Sequence, residues 1–171
     1  MLSVKGHTTD VDLGAERLIE QVKRLDGARI DVGLFEGDVD EEGKSLAVIG
    51  AIQEFGSPAA NIPKRPWLGR ATRENQSKWQ QRFQEVAFAI ISGRSNALRM
   101  MTAFGDKIAK DVRRTINAIT TPRNAPSTVA RKGFDDPLVE TGLMRATVRS
   151  RVSVGGVSRE TAKGATGRGS L

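Results

Sequence analysis

WLGRATRENQSKWQQRFQEVAFAII (residues 67–91) and SNALRMMTAFGDKIAKDVRRTINAI (residues 95–119) decide how this chain folds. In the first stretch Trp79, Phe83, Val86 and Ile90 recur every three or four residues, and arginines and glutamines fill the other faces. That spacing puts one apolar stripe on a helix. In the second, Leu98, Met101, Phe104, Ile108, Val112, Ile116 and Ile119 do the same. Ser92-Gly93 breaks the run between them. Two long amphipathic helices need a surface to cover, and the flanking segments supply candidates.

Towards the N-terminus, SPAANIPKRP (57–66) holds three of the six prolines. Proline fixes φ and removes amide donors, so this segment is predicted to be extended and rigid. LAVIGAIQEF (46–55) reads as a short helix stopped by Gly56-Ser57-Pro58. EGDVDEEGKS (36–45) is expected to be a solvated loop. ARIDVGLF (28–35) places Ile30, Val32 and Leu34 on one face of a half-buried strand. DVDLGAERLIEQVKRL (10–25) predicts an amphipathic helix with Leu18, Val22 and Leu25 inward, capped by Asp10 or Asp12 and ended by Asp26-Gly27.

Towards the C-terminus, residues 120–128 read as loop and 129–142 as irregular. Residues 144–154 read as a strand with Ala146, Val148, Ser150, Val152 and Val154 inward and arginines on the solvent face. Gly, Ser, Thr and charge dominate from Gly155 onward, which predicts disorder. A third strand is expected from 137–140 or from a neighbouring subunit. There are no internal repeats. The fold class is α+β: a small, mostly antiparallel sheet against two long helices, with an N-terminal helix and a flexible C-terminal tail. The expected division is a flexible 1–9, one domain over 10–154 with extended interaction loops at 57–67 and 120–142, and a disordered 155–171.

Composition narrows the chemistry. The 171 residues include no cysteine, which removes disulfides, thiolate metal sites and cysteine nucleophiles. His7 is the only histidine, so one chain cannot build a histidine triad or a multi-histidine metal centre. The N-terminal MLSVKGHTTDVD lacks the apolar stretch of a signal peptide. The longest apolar candidate, VAFAIIS (86–92), is too short to span a bilayer. A soluble protein without membrane partner, cofactor or metal is expected. The net charge of +7 is unevenly placed. Residues 1–59 carry 6 Lys and Arg against 12 Asp and Glu, residues 60–114 carry 12 against 4, and residues 115–171 carry 9 against 4. An acidic first third and a basic remainder suit a nucleic-acid partner, or subunits that meet acidic patch to basic patch.

Several motifs fall short of chemistry. Gly37 to Lys44-Ser45 sits where a phosphate-binding loop would, but five residues rather than four separate Gly37 from Gly43, and four of them are acids that repel phosphate. Asp38, Asp40 and Glu42 imitate a calcium loop, yet the twelfth position is Ile49 and not a glutamate. Asp135, Asp136 and Glu140 lie near Thr141 with no base to activate a hydroxyl. Lys64, Arg65, Arg70, Arg73, Lys78 and Arg82 form a basic middle without aromatics set out for base stacking; a partner-binding or solvated face suits them better than specific DNA binding.

Three ordered segments carry a resemblance. They are Ile49-Gly50-Ala51-Ile52-Gln53-Glu54-Phe55-Gly56, then Ile62-Pro63-Lys64-Arg65-Pro66-Trp67-Leu68, and, after the two helices, Ala125-Pro126-Ser127-Thr128-Val129-Ala130-Arg131-Lys132-Gly133 leading to Pro137-Leu138-Val139-Glu140-Thr141-Gly142-Leu143-Met144-Arg145. Together, over roughly residues 29–154, they resemble the virion-morphogenesis, tail-completion family of tailed bacteriophages, the head–tail joining or neck proteins. Phenylalanine is commoner there at position 67, and histidine is common where Gln53 stands. The resemblance implies a non-enzymatic virion protein assembled in the host cytoplasm. Its partners would be itself, as a ring of six or a multiple, a head-side connector or portal-associated protein, the tail terminator or tail tube, and double-stranded DNA touched non-specifically in the lumen. A tail-terminator ring is the nearest alternative. A DNA-binding packaging or regulatory protein, and a hydrolase or nuclease, are more distant ones. On this reading the ring-interface candidates are Glu54, Phe55, Arg65, Pro66, Trp67, Leu68, Lys132, Phe134, Leu138, Thr141 and Arg145. Lys64, Arg70, Arg73 and Lys78 are candidates to face the channel or a partner.

Overall fold

Apolar periodicity becomes architecture in the computed structural model, which describes residues 14–133, 135, 137–138 and 142–164, without the side chains of Arg24, Arg131 and Lys132. The two decisive stretches form α3, Trp67–Ile91, and α4, Ala97–Asn117, packed against each other. Asn96 caps α4 by accepting a hydrogen bond from the Arg99 amide at 3.0 Å. Upstream lie α1, Ala15–Leu25; β1, Arg29–Gly33; and α2, Leu46–Phe55. Downstream lie α5, Pro126–Lys132; α6, Leu143–Thr147; β2, Arg149–Val154; and β3, Val157–Glu160.

The sheet is antiparallel in the order β1-β2-β3, with Ile30 opposite Val152 and Val32 opposite Ser150. Helix α4 lies across it. Gly105 makes that approach possible, since a Cβ there would stand 2.5 Å from the Ser150 Oγ. Two apolar clusters fill the interior. One gathers Leu46, Trp67, Ala71, Val112, Ile116, Leu138 and Val148; the other gathers Val86, Ile90, Met101, Phe104, Val152 and Val154. Trp79 and Ile108 touch both. The chain is α+β, as its periodicities predicted.

Several segments depart from expectation. The strand predicted over 144–154 is split: residues 143–147 coil into α6, and the extended run begins at Arg149. The third strand of the sheet is β3, from the region expected to be disordered; of the expected strand 137–140, residues 137–138 form a turn and 139–140 lie outside the described residues. Gly155 (φ 55°) and Gly156 (φ 79°) join it to β2. Two successive left-handed residues form the tight turn that matches strand twist, and glycine accepts that conformation without strain. Residues 165–171 and 1–13 lie outside the described residues. Within 57–66, Pro58–Ala60 form a 3₁₀ turn before the chain extends. Residues 126–132, expected as loop and irregular chain, form α5, with Pro126 in the first turn and Gly133 (φ 76°) ending it. Helix α1 begins at Ala15, and Leu18 and Val22 stay about half exposed, with Leu25 alone of the three packing on the core.

Candidate functional site

The segments that carry the resemblance meet at one end of α3. Pro66 cannot cap that helix with a side chain, and Glu54 from α2 does so instead. Its carboxylate accepts from the Leu68 amide at 2.8 Å and the Gly69 amide at 3.0 Å. A negative group there satisfies orphan donors and meets the positive end of the helix dipole. Gly69 leaves room for it, because a Cβ would stand 2.9 Å from Oε1.

Arg65 ties the first two segments to the loop, residues 122–124, that leads into the third. Its backbone amide donates to Gln53 O at 2.7 Å. Its guanidinium is buried and donates to Pro122 O at 2.8 Å, Arg123 O at 2.9 Å and Gln53 Oε1 at 3.0 Å, with a longer contact to Asn124 Oδ1. A planar fork can satisfy these diverging acceptors together. The Asn124 amide in turn donates to Asp135 Oδ1 at 2.9 Å. Trp67 is 4 % exposed, and its Nε1 donates to Gly50 O at 2.9 Å. Between the anchors, Ser57 and Ile62 exchange two backbone bonds of 2.9 Å, which closes the proline-rich loop on itself.

These contacts correct several site expectations. Trp67, Arg65, Leu138 and Arg145 are not free to insert into a neighbour. Trp67 and Leu138 share their own chain's core, and Arg145 is buried with Nη1 on Asn117 Oδ1 at 2.8 Å. Glu54 is engaged as a cap. Pro66 and Leu68 are half-buried, and Leu68 packs on the core from its edge. Phe55 remains outward at 72 % exposure. It borders an open groove of about 530 Å³ shared with Pro63, Lys64, Arg123 and Asn124. Phe134 and Thr141 lie outside the described residues, as does the Lys132 side chain. Of the basic candidates, Lys64 and Arg73 are exposed. Arg70 pairs with Glu74 at 2.7 Å and Lys78 with Asp111 at 3.1 Å, so two of the four are held within the chain.

Two carboxylates, Asp38 and Asp111, are buried where their sequence surroundings pointed to solvent. Asp111, 1 % exposed, accepts from Lys78, from Trp79 Nε1 at 3.1 Å and from Arg114 at 3.1 Å. Asp38, expected in a solvated loop, is buried against Arg149 and Lys163 and accepts from the Phe35 amide at 3.2 Å. For both acids burial works to raise the pKa. The hydrogen bonds outweigh it, from Arg149 and Lys163 at Asp38 and from Trp79 and Lys78 at Asp111, so both titrate below the ordinary carboxylate range. Arg149, expected on the solvent face, is buried; its guanidinium also binds Glu160 at 2.9 Å and stacks on the Phe35 ring. Asp40 turns its carboxylate to its own loop, accepting from the amides of Glu42 and Lys44. The acids that imitate a calcium loop therefore hold the loop's shape.

No family model, curated protein or solved structure matches this chain. No helix among the described residues is long and apolar enough to cross a membrane. The most outward feature of the site is a rigid rim: an exposed phenylalanine beside a proline loop, clamped from beneath by one arginine.

Proposed function

We propose that this chain is a structural subunit of the neck of a tailed-phage virion. On this reading it forms a ring around the DNA channel, joins the filled head to the tail, and performs no catalysis. The observation that carries the proposal is the union of the three resembling segments. Glu54 and Trp67 bind the first two to each other, Arg65 ties them to the 122–124 loop that leads into the third, and Leu138 of the third shares the core cluster of Trp67, with Phe55 and the proline loop on the rim. A rim ordered in advance loses little entropy when a neighbouring ring docks on it. Aromatic anchors of this kind dominate interface energetics. Exposed Lys64 and Arg73 suit the non-specific, salt-sensitive approach of DNA backbone.

The test is removal of the reading frame from the phage genome that carries it, followed by electron microscopy of the lysate. DNA-filled heads beside free tails of normal length support the neck role. Tails of aberrant length would instead indicate the terminator ring. Intact, infectious particles would end both readings.

A further inference from the structure

The helical hairpin carries a second surface, distant in sequence from the rim. Between α3 and α4 runs an open groove of about 530 Å³. Trp79, Val86, Met100 and Phe104 give it an apolar lining, and Phe83, 46 % exposed, lies with its ring 6.3 Å from that of Phe104. Lys78, Arg82 and Lys107 edge the groove against a single acid, Glu85. Lys78 and Arg82 have internal partners yet keep about half their side-chain surface in solvent. Lys107 enters no ion pair among the described residues. An apolar lining with a cationic edge selects an apolar side chain flanked by carboxylates.

This chain owns such an element. In the loop between β1 and α2, Val39 is 51 % exposed; Asp38 and Asp40 beside it spend their carboxylates within the chain, and the loop's exposed acids are Glu36, Glu41 and Glu42, the last paired with Lys44. The loop is a built hairpin. The Asp40 amide donates to Lys44 O at 2.9 Å, and the Leu46 amide to Asp38 O at 2.9 Å. Arg149 and Lys163 hold Asp38 from beneath. Its shape is therefore set before docking, which lowers the entropy lost on binding. Residues 36–44 do not line the chain's own groove. Hairpin and groove share no residue, so a contact between copies is head to tail, the kind that propagates around a ring.

We infer that the acidic hairpin of one copy seats Val39 in the α3–α4 groove of the next copy. The inference rests on the ring reading and deepens it by naming the two faces that meet. One hairpin in one groove buries less than the roughly 1,200 Å² of a stable interface. An isolated pair is therefore weak, and ring closure multiplies the contact through effective concentration.

The absence of cysteine makes the test clean. Full-length Glu42→Cys, at the hairpin tip, is mixed with full-length Ala103→Cys, in the groove, and treated with a short bismaleimide. The 42–103 product should exceed both like-with-like products, and a control pairing with Thr72→Cys elsewhere on α3, by about tenfold. Adding Lys107→Glu to the groove variant should bring the yield down to the control. Adding Glu41→Lys to the hairpin variant should restore it. A 42–103 yield equal to the control, or one indifferent to Lys107→Glu, overturns the docking. If the yield fails while deletion still leaves heads and tails unjoined, the docking is wrong and the neck role stands.

Discussion

Replacing Arg65 with lysine keeps the charge and removes the fork. In the folded chain the guanidinium makes three bonds of 3.0 Å or less, to Pro122 O, Arg123 O and Gln53 Oε1. An ammonium on a single stem holds at most one of these diverging acceptors well. Two lost bonds from a charged donor, at about 1.5 kcal/mol each, give about 3 kcal/mol. The acceptors are only partly buried and recover some hydration, which brings the loss to about 2 kcal/mol. For a domain of this size that lowers Tm by roughly 4–8 °C. The assay is urea unfolding of dilute protein followed by circular dichroism, with Trp67→Phe as comparison. That change removes the single bond to Gly50 O and leaves a cavity where the indole packed, and should cost about 2–3 kcal/mol. The measurement separates two roles for Arg65. An arginine reserved for a neighbouring subunit leaves the stability of the dilute chain unchanged. Arg65→Lys within about 0.5 kcal/mol of the parent refutes the internal clasp.

Gly105→Ala should destabilise although it sits inside a helix, where alanine ordinarily gains about 1 kcal/mol. The added Cβ would meet Ser150 Oγ at 2.5 Å and Ser150 Cβ at 3.0 Å, and overpacking of that kind costs roughly 1–3 kcal/mol. A stabilised variant in urea unfolding would show that α4 does not rest on β2 this closely. Acid should weaken the fold through Asp38. Its folded pKa lies below the ordinary value, so its contribution is complete above the unfolded pKa of about 4 and is lost as pH falls through the folded value. Asp38→Asn should lose about 3 kcal/mol at pH 7 by leaving Arg149 without its buried partner. Its unfolding midpoint should then change less than the parent's between pH 7 and pH 3, and equal slopes would contradict the assignment.

Sequence by itself determined the elements whose signal is local. The stripes of α3 and α4, the alternation of Ile30 and Val32, and the stop at Gly56 all report periodicities or backbone preferences that need no distant partner. They were enough for the fold class. One local signal was present and unread: the Gly155-Gly156 pair between VSV and VSRE marks a hairpin, but polar composition outweighed it. The fates of the site residues belong to tertiary structure. Asp38 and Arg149 stand 111 positions apart and meet in the interior. Arg65 and Pro122 are separated by 57, and Lys78 and Asp111 by 33. Whether a charged side chain faces water or a buried partner depends on where the chain returns in space. No window of neighbouring residues contains that information. The same holds for Trp67, whose type suited a docking anchor until Gly50 and the core closed over it. Phe55, over which no described residue closes, stayed outside.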